Sequence, residues 1–235
     1  MTWDKILDID RYLLLSLNGS DSLFWDGCMQ VYTSMIVWMP LALVLVYMLL
    51  KNNSVKDFFV LLLMVTLVVL GTDQISSGFC KPFFERWRPT NDPVLMYAVD
   101  VVNEIREGKY GFTSSHAANT FAVAVFVSLL MRSWSLSITM ILWAALNAYS
   151  RIYLGVHYPG DILFGTLTGI GVGVLVYILY HLLKNKFLPR PQYISNQYTS
   201  SGYLTTDISL LLTVMTVTVL VIVIYGMILG NLLNF

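Results

Sequence analysis

Six stretches of this chain are apolar over lengths at or near those needed to cross a bilayer as a helix, about 20 residues. They cover 28–50, 58–77, 117–131, 134–149, 162–183 and 208–233. Hydrocarbon offers no water to the backbone, so each N–H and C=O must be satisfied internally, which a helix does within a single segment. The expected fold is therefore all-α, a polytopic transmembrane helix bundle of about six spans. The stretches 117–131 and 134–149 are short, but each continues into polar residues. Ahead of the spans, 5–17 alternates charged and apolar residues, the pattern of an amphipathic helix lying in the interface.

Composition agrees. Of 235 residues, 57% are hydrophobic and only 12% charged, whereas a soluble domain averages about a quarter charged. Formal net charge is zero, so no long-range field draws in nucleic acid. The first residues lack a basic region, and no cleavable leader is expected. Four regions follow: an interfacial helix in 1–26, a transmembrane core in 27–183, a polar inner linker in 184–206 carrying Pro189 and Pro191, and a further span in 207–235.

Orientation rests on where the cations sit. Lys51, Lys56, Arg132, Lys184, Lys186 and Arg190 fall in one set of connections, expected inside. The other set, 79–116 and 151–161, carries Lys81, Arg86, Arg88, Arg106, Lys109 and Arg151. The numbers are equal, but the first set is short and almost purely basic. The second is expected to face outward. Within it, 93–107 places Leu95, Val99 and Val102 near helical spacing, which predicts a helix on the outer surface.

Small residues recur every four positions at Gly165, Gly169 and Gly173, and again at Gly226 and Gly230, faces that allow close helix approach. Packing is expected of both, with dimerisation through the last pair as the alternative. Asp73 lies inside an apolar span, and two roles stand open: pairing with a site cation or bonding to another helix. Cys28 and Cys80 read as ordinary thiols, although a disulfide between adjacent span ends is conceivable. His181, beside Lys184, reads as an interfacial residue.

Three polar segments interrupt the chain on the same expected face. One is Lys81-Pro-Phe-Phe-Glu-Arg-Trp-Arg88-Pro89, another Thr113-Ser114-Ser115-His116, and the last Ser150-Arg151, His157 and Asp161. Alone, each has a bland reading: snorkelling anchors, a helix cap, a bonded histidine. Together they gather three candidate phosphate clamps, a helix N-terminus, two histidines and a carboxylate.

This pattern resembles the type 2 phosphatidic acid phosphatase superfamily, which shares its site layout with vanadium haloperoxidases. The family pattern is Lys, six residues, Arg-Pro; then Pro-Ser-Gly-His; then Ser-Arg, five residues, His, three residues, Asp. The outer two blocks match at every defined position. The middle one departs, with Thr113 for Pro and Ser115 for Gly. The resemblance spans about 57–183, and 108–120 looks like a bacterial branch.

The resemblance implies that Lys81, Arg88 and Arg151 bind phosphate, that His157 is the nucleophile, and that His116 is the general acid and base. Arginine's planar fork suits phosphate oxygens. A helix N-terminus at 113–116 offers oriented donors to an anion, and Ser114 and Ser115 are expected to join the phosphate site. Pro159 suits the first turn of the next helix, from which Asp161 can reach back and orient His157, the logic of a catalytic triad.

No metal or other cofactor is expected. The implied activity is a lipid phosphatase, working through a phosphohistidine at the outer face of a bacterial inner membrane, with a membrane lipid as its partner. Undecaprenyl diphosphate or a lipid A phosphate leads the substrates, ahead of phosphatidylglycerol phosphate and phosphatidic acid. Phosphotransfer to another lipid uses the same residues. A transporter would call for polar residues at mid-span, and here they gather at span ends.

Overall fold

A computed structural model of the protein describes residues 3–187 and 195–232. Helix α1 covers Trp3–Leu17, α2 Leu23–Tyr32 and α3 Met39–Asn52. Helix α4, Val55–Asp73, runs through a π-helical segment, Gln74–Cys80, into the short α5, Lys81–Phe84. After an irregular connection come α6 (Ser115–Met131), α7 (Trp134–Tyr153), α8 (Pro159–Phe187) and α9 (Thr205–Leu232). Among the described residues the only β pairing is two isolated bridges.

Among the described residues, three helical stretches are long and apolar enough to span a membrane: Val55–Phe84, Pro159–Lys184 and Thr205–Leu229. The single span expected over 28–50 is instead a pair, Leu23–Tyr32 and Ile36–Asn52, bent by 64°. The bend has a local cause. Trp38 donates its indole N–H to the Tyr32 carbonyl at 2.7 Å, taking an acceptor that a continuing helix would use. Pro40, in the first turn of α3, has no N–H to offer a preceding turn. Helix α6 has 17 residues, about 25 Å at 1.5 Å per residue, and packs against α4, α7 and α8. Its alanines 117, 118, 122 and 124 are fully buried.

The glycine face of α8 explains how tightly it meets α6. A Cβ at Gly165 would lie 2.5 Å from the Ser114 carbonyl, and one at Gly173 would lie 2.7 Å from that of Ala122. Gly169 presses likewise on Ala118. Only glycine lets the two backbones approach so closely. The contact brings the N-termini of α6 and α8 together, and Ser114 N–H donates to the Asp161 carbonyl at 3.1 Å.

The alternative of a dimer through Gly226 and Gly230 is not supported. A Cβ at Gly226 would press on Cys28 and on the Phe24 carbonyl at 2.8 Å, so α2 of the same chain fills that face. The side of Gly230 lies outside the described residues. Both cysteines are free thiols.

One end of the bundle is tied by Lys51, which meets Asp207 at 2.7 Å. There too Ser201 donates to the Met131 carbonyl at 2.9 Å and Arg132 to the Tyr177 hydroxyl at 3.0 Å. His181 stacks on Tyr177 nearby. The linker residues Pro189, Arg190 and Pro191 lie outside the described residues.

At the other end, the connection from Glu85 to Ser114 forms a clasp. Arg88 N–H donates to the Lys109 carbonyl at 3.1 Å, and Gly111 N–H to that of Arg86 at 2.9 Å. The helix expected over 93–107 is absent. The segment holds turns and the 3-10 helix Val102–Glu104, and another, Pro89–Asn91, precedes it. Asp100 N–H donates to the Asn18 side chain at 2.7 Å and the Asp100 carbonyl accepts from it at 3.0 Å. Backbone groups that a helix would pair internally are thus spent on another element. The apolar positions do face inward, with Leu95, Val99 and Val102 buried.

Candidate active site

All three polar segments converge at the clasp end. Each is delivered by a helix terminus. Lys81 sits just after the π-helical segment of α4. Pro82 cannot donate to the carbonyl four residues back, and the looser winding before it fits a π-bulge, a feature often found at functional sites. Lys81 Nζ donates to the hydroxyls of Ser115 (2.8 Å) and Ser77 (3.1 Å). Asp73 accepts from Ser77 at 2.9 Å. Of the two roles left open for Asp73, neither holds in simple form: its bond stays on its own helix and reaches Lys81 only through that serine.

Arg88 and Arg151 are 5% and 3% exposed. Arg88 donates through Nη1 to the Val156 carbonyl at 3.0 Å and lies 2.7 Å from His157 Nε2. Arg151 donates through Nη1 to the Thr33 hydroxyl at 2.9 Å, across the break between α2 and α3. One carboxylate spans the pair. Glu107 accepts from Arg88 Nη2 at 2.9 Å with one oxygen and from Arg151 Nη2 with the other. Both arginines keep a buried Nε–H without an acceptor among the described residues. Burial works to raise the Glu107 carboxyl, but Arg151 and Arg88, then the histidines, outweigh it and hold it at about 2.

His157 closes the tight turn between α7 and α8 and is 1% exposed. Its Nδ1 faces Asp161 Oδ2 at 3.3 Å. Asp161 is fully buried in the first turn of α8. Since Arg88 can only donate, Nε2 must accept, and the proton belongs on Nδ1 toward Asp161. Burial first, then Arg88 and Arg151, push His157 well below the usual imidazole range. The ring is neutral at physiological pH, and the lone pair on Nε2 accepts from Arg88.

His116, in the first turn of α6, feels the same charged groups as His157: Arg151, Glu107, Arg88 and Lys81. It also lines a cavity of about 480 Å³ walled by Trp38, Leu41, Leu45, Val123, Met140 and others. Ser114 caps α6, accepting from Ala117 N–H at 3.4 Å. Ser115, where the family pattern has glycine, carries the hydroxyl that Lys81 holds.

Every sequence-derived site residue therefore lies in this one region. Others were missed. Glu107 follows no spacing rule, being one acid in a long connection. Arg86 sits inside the first polar segment but looks like a membrane anchor. It meets Asp161 Oδ1 at 2.8 Å and Asp10 of α1 at 2.6 Å. Gly111 covers the pair His157 and Asp161, and a Cβ there would lie 3.1 Å from Asp161 Oδ2 and 3.0 Å from Arg88 Cγ.

Comparison with known proteins bears on this arrangement. The PAP2 superfamily model matches residues 58–185. The lipid A 4'-phosphatase of Bacteroides thetaiotaomicron is 41% identical over 75% of this chain and 79% of its own length. That of Porphyromonas gingivalis is 36% identical over 79% of this chain and 78% of its own. In fold, the transmembrane PAP2 type phosphatidylglycerolphosphate phosphatase from Bacillus subtilis superposes with a TM-score of 0.55 at 20% identity, covering 80% of this chain and 90% of that one. A family match over more than half of the chain, joined to relatives aligned along most of it, establishes that this protein belongs to the PAP2 superfamily.

Proposed function

We propose that this membrane lipid phosphatase removes a phosphate from lipid A at the outer face of a bacterial inner membrane, through a phosphohistidine on His157. The observation that carries the reading is Glu107. Two buried guanidiniums already grip an anion beside a neutral histidine whose Nε2 lone pair is held by one of them. A phosphoryl group entering in place of that carboxylate would meet Arg88 and Arg151 with their spare Nε–H donors, Lys81, and the start of α6.

In this mechanism Arg88 turns its N–H from Nε2 to the bound phosphate, and Nε2 of His157 attacks phosphorus while the bond to the lipid oxygen breaks. His116, which takes up a proton when the phosphate's negative charge is bound beside it, gives that proton to the leaving oxygen. The lipid alcohol departs and His157 carries the phosphoryl group. His116, now neutral, takes a proton from water, the hydroxide attacks phosphorus, and the P–N bond breaks to release phosphate. Asp161 keeps the Nδ1 proton in place throughout. General acid–base help of this kind contributes roughly 10²–10⁴-fold, and charge stabilisation by oriented donors is typically larger.

Lipid A is favoured by the two relatives that bear its name. The apolar cavity beside His116 suits an acyl chain of the lipid being cleaved. The outward orientation follows from the basic connections at the opposite end of the bundle. Purified protein given a lipid panel should release phosphate fastest from lipid A and slowly or not at all from undecaprenyl diphosphate and phosphatidic acid. His157→Ala should lose turnover while eluting as folded protein, and sealed spheroplasts should hydrolyse substrate supplied outside. Undiminished turnover by His157→Ala, or hydrolysis only after the membrane is breached, would contradict the reading.

A further inference from the structure

Asp161 divides its two oxygens between different tasks. Oδ2 accepts from the Tyr158 N–H at 3.1 Å and faces His157 Nδ1 at 3.3 Å. Oδ1 accepts from Arg86 Nη1 at 2.8 Å. The plane of this buried carboxylate, and with it the ring of His157, is therefore fixed from behind by Arg86.

Arg86 is fixed in turn. Its Nη2 donates to Asp10 Oδ2 at 2.6 Å, and its guanidinium lies 4.1 Å from the centroid of the Tyr158 ring. That ring is pinned by its hydroxyl, which donates to Asp92 at 2.7 Å. Asp10 has one more bond. Its other oxygen accepts from the Gly160 N–H at 2.7 Å, in the turn of α8 that carries Asp161. One residue of the amphipathic helix thus grips both the arginine behind the site and the backbone of the helix bearing the site carboxylate.

We propose that Arg86 and Asp10 are positioning residues for the reaction, with α1 acting through Asp10 to hold Arg86, Asp161 and His157 in line. The inference rests on His157 being the nucleophile. An anchoring role alone does not account for the arrangement. Helix α1 is docked independently at its other end, where Leu14 is fully buried and Asn18 donates to the carbonyls of Tyr153 (2.8 Å) and Asp100 (3.0 Å). Asp10 and the α1 segment also lie outside the residues that match the family model, 58–185, so this brace reaches the site from beyond the part of the chain that the model describes.

The test compares full-length wild type, His157→Ala, Asp10→Asn, Asp10→Glu, Arg86→Lys and Asp8→Asn on lipid A in micelles, with folding followed by elution and thermal midpoint. Asp10→Asn removes the anion that holds Arg86. Arg86→Lys keeps a cation near Asp161 but cannot bridge two carboxylates, and it carries the test should Asp10→Asn fold poorly. Losing an orienting partner typically costs about 10–100-fold. Both variants should lose kcat by about that factor with KM within about twofold of wild type, the pattern of a group acting on the transition state alone. Asp10→Glu should recover part of the loss, and Asp8→Asn, on the same helix but exposed, should match wild type. Folded Asp10→Asn and Arg86→Lys with wild-type kcat would overturn the proposal, as would a loss confined to KM or one shared by Asp8→Asn. Turnover that survives in His157→Ala would instead overturn the reading of the nucleophile on which the proposal stands.

Discussion

Glu107 lies between Arg88 and Arg151, on the donors that the proposed mechanism gives to phosphate. With its carboxyl held at about 2, it is ionised at any pH at which the protein works, so it competes with substrate as a full anion. Its folded-state value lies below the ordinary carboxylate value, so the contribution of these ion pairs to stability is complete above that value and fades only as pH falls toward 2. Acidification within the physiological range therefore does not release it. Substitution does. Glu107→Gln removes the charge and leaves two buried arginines without a counter-ion, so inorganic phosphate should inhibit more tightly. A hydrogen bond to a charged group is worth about 1.5 kcal/mol at the low end, which is roughly tenfold in affinity. An unchanged or weaker inhibition constant for phosphate would show that Glu107 does not occupy the anion site. No sequence rule pointed to this residue. Lys81, Arg88, Arg151, His157 and Asp161 fall at spacings set by helix ends, which a linear pattern can register. Glu107 reaches the arginines only because the clasp folds back on itself.

Helices carried most of what could be read in advance. The long apolar stretches of α4, α8 and α9 are helical because nothing else satisfies their backbone in lipid, and the glycine period of α8 announced a close neighbour without naming it. The neighbour is α6. Gly169→Val should therefore force α6 and α8 apart, since any Cβ at that position presses on the Ala118 backbone and backbone cannot swing aside. Overpacking of this kind typically costs about 1–3 kcal/mol, and the thermal midpoint should fall while Gly171→Val, whose Cβ meets nothing within 4 Å, leaves it near wild type. Equal midpoints for the two variants would contradict the packing. Two elements were not legible. The break between α2 and α3 depends on the Trp38 indole finding the Tyr32 carbonyl, and the irregular connection over 93–107 depends on Asn18. The first is a local bond between residues six apart and the second a tertiary one, and each overrides an apolar period.

At the scale of the whole molecule, the chain separates its chemistry from its anchoring. The end tied by Lys51 and Asp207 also carries Arg132, a cation of the connections expected inside. The opposite end holds the buried Arg88, Arg151 and His157 and the half-buried His116. Their placement at a span boundary keeps the charges near water while the apolar cavity beside His116 extends into the bundle, an arrangement suited to a substrate with a charged head and an apolar tail. In the proposed mechanism one imidazole in this pocket carries the phosphoryl group during turnover. Rapid acid-free quenching of the enzyme with lipid A labelled in its phosphate, followed by peptide mapping, tests it directly. Label should appear on the peptide bearing His157, in an acid-labile form, and should vanish in His157→Ala. Label on a serine or on His116, or turnover without any labelled enzyme, would contradict the account.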